Sequence, residues 1–191
     1  MQGISNVSKA VSTKTTHPIL SCIFIEAENG NIKLTANDME IGIESYVEGT
    51  VIEEGKVAIE AKLLSDIVRK LPDSEIHMET NEDFKTTIKC EKSLFTIAGK
   101  SGEDFSSLPV VEKSKYITIS QFTLREIINQ TIFSISDSEY NNVMTGELFE
   151  VSNNRLRVVA IDGHRIAIRN VELKDESQDV KVIAVSYTHL T

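Results

Sequence analysis

Apolar residues recur along this chain with two periods, and the switches between them mark its elements. In "SQFTLREIINQTIFSIS", Leu124, Ile127, Ile128, Thr131 and Ile132 fall at helical spacing behind Ser120, a residue type suited to capping a first turn. This predicts a helix over 120–135. "AKLLSDIVRKLP" repeats the pattern with Leu63, Leu64, Ile67, Val68 and Leu71, and Pro72, which lacks the N–H that a helix interior needs, ends a second helix over 61–71. A third helix is predicted over 1–14, where "ISNVSKAV" offers Ile4, Val7 and Val11. Almost everything else alternates with period two, as in Ile32, Leu34, Ala36 and in Leu156, Val158, Ala160, or is β-branched and bounded by turns such as "ENGN" and "SNN". The class is α+β, with more strand than helix.

An internal repeat organises these elements. Residues 19–38, "ILSCIFIEAENGNIKLTAND", align without a gap under 143–162, "VMTGELFEVSNNRLRVVAID", at a shift of 124. Glu26, Asn29, Ala36 and Asp38 meet identical residue types at Glu150, Asn153, Ala160 and Asp162, and apolar positions meet apolar ones, as at Phe24 and Leu148. Each copy follows a predicted helix. A period this long is too great for a solenoid and indicates a tandem of similar domains, the second copy incomplete.

Composition narrows the function class. At 191 residues and 40% hydrophobic content the chain can bury a real core, and no run approaches the roughly 18 apolar residues of a membrane span. A soluble, cytoplasmic protein is expected. Cys22 and Cys90 lie far apart without metal-ligand spacing, so both are expected as reduced, partly buried side chains. The net charge of −9 argues against a uniformly basic nucleic-acid binder, yet the charge is unevenly placed. The three predicted helices hold six basic residues (Lys9, Lys14, Lys62, Arg69, Lys70, Arg125) and two acidic ones (Asp66, Glu126), an excess of four, which leaves −13 for the remainder. Such segregation can aim one surface at a polyanion, with the helices of both domains on one concave side and the sheets on the other.

The most concentrated chemistry is "VVAIDGHRIAI", Val158 to Ile168. As a catalytic or metal site, for instance in a metal-dependent hydrolase, Asp162 and His164 would need a nucleophile or further ligands. No HExxH, GxSxG or phosphate-loop pattern supplies them. The first copy reads "NDMEIGI", keeping Asp38 but not the His or Arg. What recurs is therefore read as structural, an Asp accepting backbone N–H bonds in a tight strand connection. Gly163, His164 and Arg165, flanked by Met144, Ile161 and Ile166, are then read as a local binding surface peculiar to the second copy. A tandem-domain interaction scaffold without a DNA role shares the repeat but predicts no basic lining.

At these residues the chain resembles the bacterial β sliding clamp family, the processivity subunit of DNA polymerase III. "THPILSCIFIEAENGNIKLTANDMEI", "FTIAGKSGEDFSSLP" and "MTGELFEVSNNRLRVVAIDGHRIAI" carry the resemblance, which covers nearly the whole chain. It implies a DNA-clamp fold of similar domains, with antiparallel sheets outside and helices lining the inner face, two chains closing head to tail into a ring. It implies an accessory subunit with no catalytic residues, metal or cofactor. The implied domains are 1–112 for domain I without its first strand, 113–119 for a linker and the start of domain II, and 120–191 for an incomplete domain II. After "VKVIAV" the family continues with a proline and a helix, whereas "SYTHLT" here, 186–191, reads as an unrelated tail.

The resemblance also assigns residues. Lys14, with Lys9, Lys62, Arg69, Lys70 and Arg125, would contact phosphates of double-stranded DNA independently of sequence. Met144, Ile161, Gly163, His164, Arg165 and Ile166 would form part of a pocket for short peptides from the polymerase III α subunit, the clamp loader and other clamp-binding-motif proteins. Ile161 stands where a Thr is common and Asn141 where an Arg often precedes the pocket. "KSLFTIAG", with Lys92, Phe95 and Ile97, would form the edge that pairs with the third domain of another subunit, so the homodimer ring is expected of a full-length chain and not of this one.

Overall fold

A computed structural model describes residues 1–12, 15–39, 41–103, 105–110, 116–137, 143–175 and 177–185. Two compact units divide the chain, Met1–Pro109 and Val110–Thr191. In the first, α1 (Gln2–Val7) precedes the strands β1 (Cys22–Glu28), β2 (Asn31–Asn37), β3 (Gly42–Val47) and β4 (Gly55–Glu60). Helix α2 (Ala61–Lys70) follows, then β5 (His77–Thr80), β6 (Lys85–Cys90) and β7 (Ser93–Ala98). The second unit runs α3 (Gln121–Thr131), β8 (Gly146–Ser152), β9 (Arg155–Ile161), β10 (Ile166–Glu172) and β11 (Val180–Val185).

All pairings within these sheets are antiparallel, and the two four-stranded sheets share one order, β3-β2-β1-β4 and β10-β9-β8-β11. The shift of 124 carries β1 onto β8 and β2 onto β9 to the residue, and it carries the register with them: Phe24 faces Thr35 as Leu148 faces Val159. The hairpin turns explain why no gap was needed. Asn29-Gly30 and Asn153-Asn154 all take positive φ (51° and 74°, 49° and 63°), the two-residue turn whose twist matches that of the flanking strands. Asparagine tolerates this region better than other side-chain residues, so one turn serves both copies.

Side chains alternate across each sheet. In the first unit Ile23, Ile25, Leu34 and Ile59 point to the face on which α1 and α2 pack through Val7 and Leu64. Ser120 caps α3 as expected, its hydroxyl accepting from the Thr123 N–H at 3.0 Å. The first helix is shorter than its apolar spacing suggests. A 3-10 turn (Ser8–Ala10) replaces its end, and β-branched Val11 leaves in extended backbone (φ −90°, ψ 125°).

On the opposite face Glu26 bridges Lys33 at 2.7 Å and Lys56 at 3.4 Å, and its repeat partner Glu150 bridges Arg157 at 4.0 Å and Lys181 at 3.4 Å. That conserved geometry accounts for the Glu shared by both copies. Beyond Glu26 this face of the first sheet is covered by the chain that leaves β7. Lys100 pairs with Ala58, Phe105 stacks on Phe24 with ring centroids 4.9 Å apart, and Leu108 lies against Gly42. Cys22 is buried under the same cover, and burial pushes its thiol up. Cys90 is also fully buried and free, so both cysteines are more deeply enclosed than their spacing alone suggests.

Candidate functional site

The Asp162 connection is built from backbone. Strands β9 and β10 pair as far as Ile161 and Ile166, leaving four residues to reverse direction. Gly163 takes φ 90°, which turns the N–H groups of His164 and Arg165 inward, and both donate to Asp162 Oδ1 at 2.9 Å. The Arg165 guanidinium donates from Nε to Oδ2 at 2.6 Å. The His164 N–H first, then those of Arg165, hold the Asp162 carboxyl below the usual carboxylate range. The first unit builds the same loop: Asp38 Oδ1 accepts from the Ile41 N–H at 2.7 Å, and Met39, opposite Gly163, sits at φ 80°. The recurring aspartate is thus a loop tie.

This geometry bears on the hydrolase reading. Both Asp162 oxygens are committed within the loop, and no cluster of three or more His, Cys, Asp or Glu side chains capable of holding a metal occurs among the described residues. A pH dependence follows from the tie. A carboxyl held low in the folded state stabilises the loop above its unfolded value, about 3.9, and that contribution is lost as pH falls through the lower folded value. At neutral pH, Asp162→Ala should therefore speed amide exchange at His164 and Arg165 relative to wild type, the difference closing in strong acid. Equal exchange in the two proteins at neutral pH would show that the carboxylate does not hold the loop.

The same loop gathers most of the predicted pocket residues. Ile161 and Ile166 face each other across the ladder and are 38% and 57% exposed, on either side of the open surface above Gly163, where an added Cβ would meet nothing within 4 Å. His164 and Arg165 are exposed, and Met144, half-buried at the approach to β8, accepts the Ser136 N–H at 2.8 Å. Asn141 lies outside the described residues.

Sequence reading missed how far this apolar surface extends. Register places Leu148, Val159, Ile168 and Ile183 on the same sheet face as Ile161 and Ile166, crossing all four strands, with Ile168 and Ile183 exposed. The signal was the alternation of Ile166 and Ile168. The recesses lined by Glu79, Asn81 and Lys85 and by Asn153, Ser177 and Asp179 lie elsewhere and are polar.

The basic residues sit on helix faces turned to solvent. Lys62 and Arg69, two turns apart on α2, are exposed opposite the buried Leu64 and Val68, with Lys70 beside them, and Arg69 lies 3.9 Å from Asp66. Lys9, in the 3-10 turn, and Arg125, on α3, are also exposed, while Lys14 lies outside the described residues. Lys92 is exposed in the turn before β7, but Phe95 and Ile97 point into their own unit's core, Ile97 being only 6% exposed. What β7 offers outward is its backbone edge, since it pairs with β6 alone among the described strands.

Two domain families match the chain: DNA polymerase III beta subunit, N-terminal domain, over residues 1–109, and DNA polymerase III beta subunit, central domain, over 118–189. The beta sliding clamp of Halalkalibacterium halodurans is 36% identical over 189 residues, covering 95% of this chain and 50% of its own. The crystal structure of a DNA polymerase III beta subunit from Eubacterium rectale superposes with a TM-score of 0.92 at 55% identity, over 95% of this chain and 50% of that one. The Bacillus subtilis DNA polymerase sliding clamp superposes with a TM-score of 0.90 at 32% identity, over 95% and 50%. The chain belongs to the DNA polymerase III beta subunit family and has its clamp fold. It spans half the length of these relatives.

Proposed function

We propose that this chain is the first part of a sliding clamp, a non-catalytic processivity factor that encircles duplex DNA and tethers the replicative polymerase, the clamp loader and other clamp-binding proteins. One observation carries the reading: two successive units of the same construction match the N-terminal and central domains of that family across nearly the whole chain. The exposed basic stripe of α2, with Lys9, Lys14 and Arg125, supplies phosphate contacts that are salt-sensitive and loose enough to slide. The open surface above Gly163 receives a peptide's apolar side chain, with His164 and Arg165 fixing its polar end. Edge pairing through β7, from Lys92 onward, closes the homodimer ring in a chain that carries the third domain. The protein works in the cytoplasm and needs no cofactor.

The test uses a chain of the relatives' full length and a clamp-binding peptide ending in leucine or phenylalanine. Gly163→Val should weaken binding at least tenfold, because a branched side chain intrudes on the open space and is strained at φ 90°. His164→Ala should keep the fold, since the loop uses the backbone N–H of that residue and the first unit builds its loop without a histidine. Unchanged peptide affinity in the folded Gly163→Val protein would place the pocket elsewhere.

A further inference from the structure

The repeat exposes a substitution inside the core. Val7, Ala10 and Ile23 of the first unit, all fully buried where helix meets sheet, have as counterparts at the shift of 124 Thr131, Ser134 and Glu147, which are buried to 0%, 0% and 1% exposure. Three apolar positions in one unit are thus three polar ones in the other.

Counting protons at this cluster gives its chemical state. Thr131 Oγ1 lies 2.8 Å from the Ile127 carbonyl oxygen and 2.6 Å from Glu147 Oε1, and a hydroxyl has one proton to give. Given to the Ile127 carbonyl, which can only accept, the Thr131 proton leaves Oγ1 as an acceptor toward Glu147. The contact with Glu147 is then a hydrogen bond only if the carboxyl is the donor. Glu147 Oε2 and Ser134 Oγ meet no partner among the described residues, so an ionised carboxylate would keep one oxygen buried and uncompensated. Burial accordingly pushes the Glu147 carboxyl up, against the smaller opposing effect that the Thr131 hydroxyl has where it donates to the ionised carboxylate.

Among the described residues no charge nearby relieves this. On the elements packed around Glu147, the ionisable groups are Arg125 and Glu126 of α3, Glu150 of β8, Arg155 and Arg157 of β9, Arg169 and Glu172 of β10, and Lys181 of β11. Glu150, Arg155, Arg157, Glu172 and Lys181 lie on the other sheet face, and Arg125, Glu126 and Arg169 are exposed. None of them forms an ion pair with Glu147.

We propose that Glu147 is a neutral acid whose proton, donated to Thr131 while Thr131 donates its own to the Ile127 carbonyl, latches helix α3 to strand β8, making the second unit pH-sensitive at positions where the first unit has apolar residues. The sign is fixed by the raised folded-state value. The latch contributes in full below the unfolded carboxyl value, about 4.3, and is lost as pH rises from there through the folded value. A glutamine amide donates to Thr131 at every pH and so imitates the protonated form.

The 191-residue chain with Glu147→Gln and its parent are compared by thermal unfolding from about pH 4 to about pH 9. The variant should match the parent in acid and exceed it in Tm by several degrees in alkali. The pH response of the Glu147 carboxyl carbon is followed by NMR in the parent, so that a variant that fails to fold still leaves a decisive measurement. A Tm difference that does not change with pH, or a carboxyl carbon titrating in the ordinary carboxylate range, overturns the proposal.

Discussion

Phe105→Ala is expected to destabilise the first unit by about 3–5 kcal/mol, the range for truncating a buried aromatic side chain. Phe105 is only 8% exposed and stacks on Phe24, with Cys22, Ala58 and Ile19 completing a small cluster on the sheet face opposite the helices. Removing the ring leaves a cavity that the backbone cannot close, because Lys100 and Ala58 pin the start of the covering segment through reciprocal N–H to carbonyl bonds of 2.8 and 3.0 Å. The loss therefore includes both the transfer of the ring to water and the unfilled space. Equilibrium denaturation of the parent and variant measures it, and the thiol of Cys22, which the same cluster covers, should become reactive in the variant. A loss below about 1 kcal/mol would mean that the segment after β7 rests on the sheet without stabilising it.

Leu156→Ala should cost about 2–5 kcal/mol in the second unit, for a related reason. Leu156 is 0% exposed and packs with Ile127 of α3, Val151 of β8 and Val158 of its own strand. It joins the helix to the two central strands, so its truncation weakens helix docking as well as the sheet face. Far-ultraviolet circular dichroism during urea denaturation measures the change. If Leu156→Ala unfolds with the parent's midpoint, the second core is organised around other residues.

The fold is largely legible in the sequence because its signals are local. Period-two alternation, the Asn turns at 29 and 153 and the Ser120 cap each act within a few residues, and the repeat supplied the tandem at a shift of 124 that the strands then kept. The first helix is shorter than the predicted 1–14 for the same reason. Apolar spacing extends to Val11, but spacing does not register where β-branching and extended backbone take over. Of the candidate site, Asp162 was legible as a loop tie because Asp38 repeats it. The charge segregation onto helices marked Lys62, Arg69 and Arg125, which are exposed.

The remaining features depend on which residues meet across long sequence separations, and a one-dimensional pattern carries no distance. Phe105 reads as a lone aromatic in a loop until the chain folds back 81 positions to stack it on Phe24. Ile97 reads as an edge residue until the alternation of its strand turns it into the core. The apolar surface running from Ile166 to Ile183 exists only because register aligns four strands. Glu147 reads as an ordinary strand carboxylate until helix α3 closes over it and leaves the Thr131 hydroxyl, 2.6 Å from Oε1, as its hydrogen-bond partner among the described residues. The sequence by itself determined the elements, their tandem order and the loop at Asp162, because local backbone preference and side-chain period are short-range forces. The tertiary structure alone decided which face each side chain meets and which polar groups are enclosed, because burial and the satisfaction of hydrogen bonds are set by distant segments brought into contact.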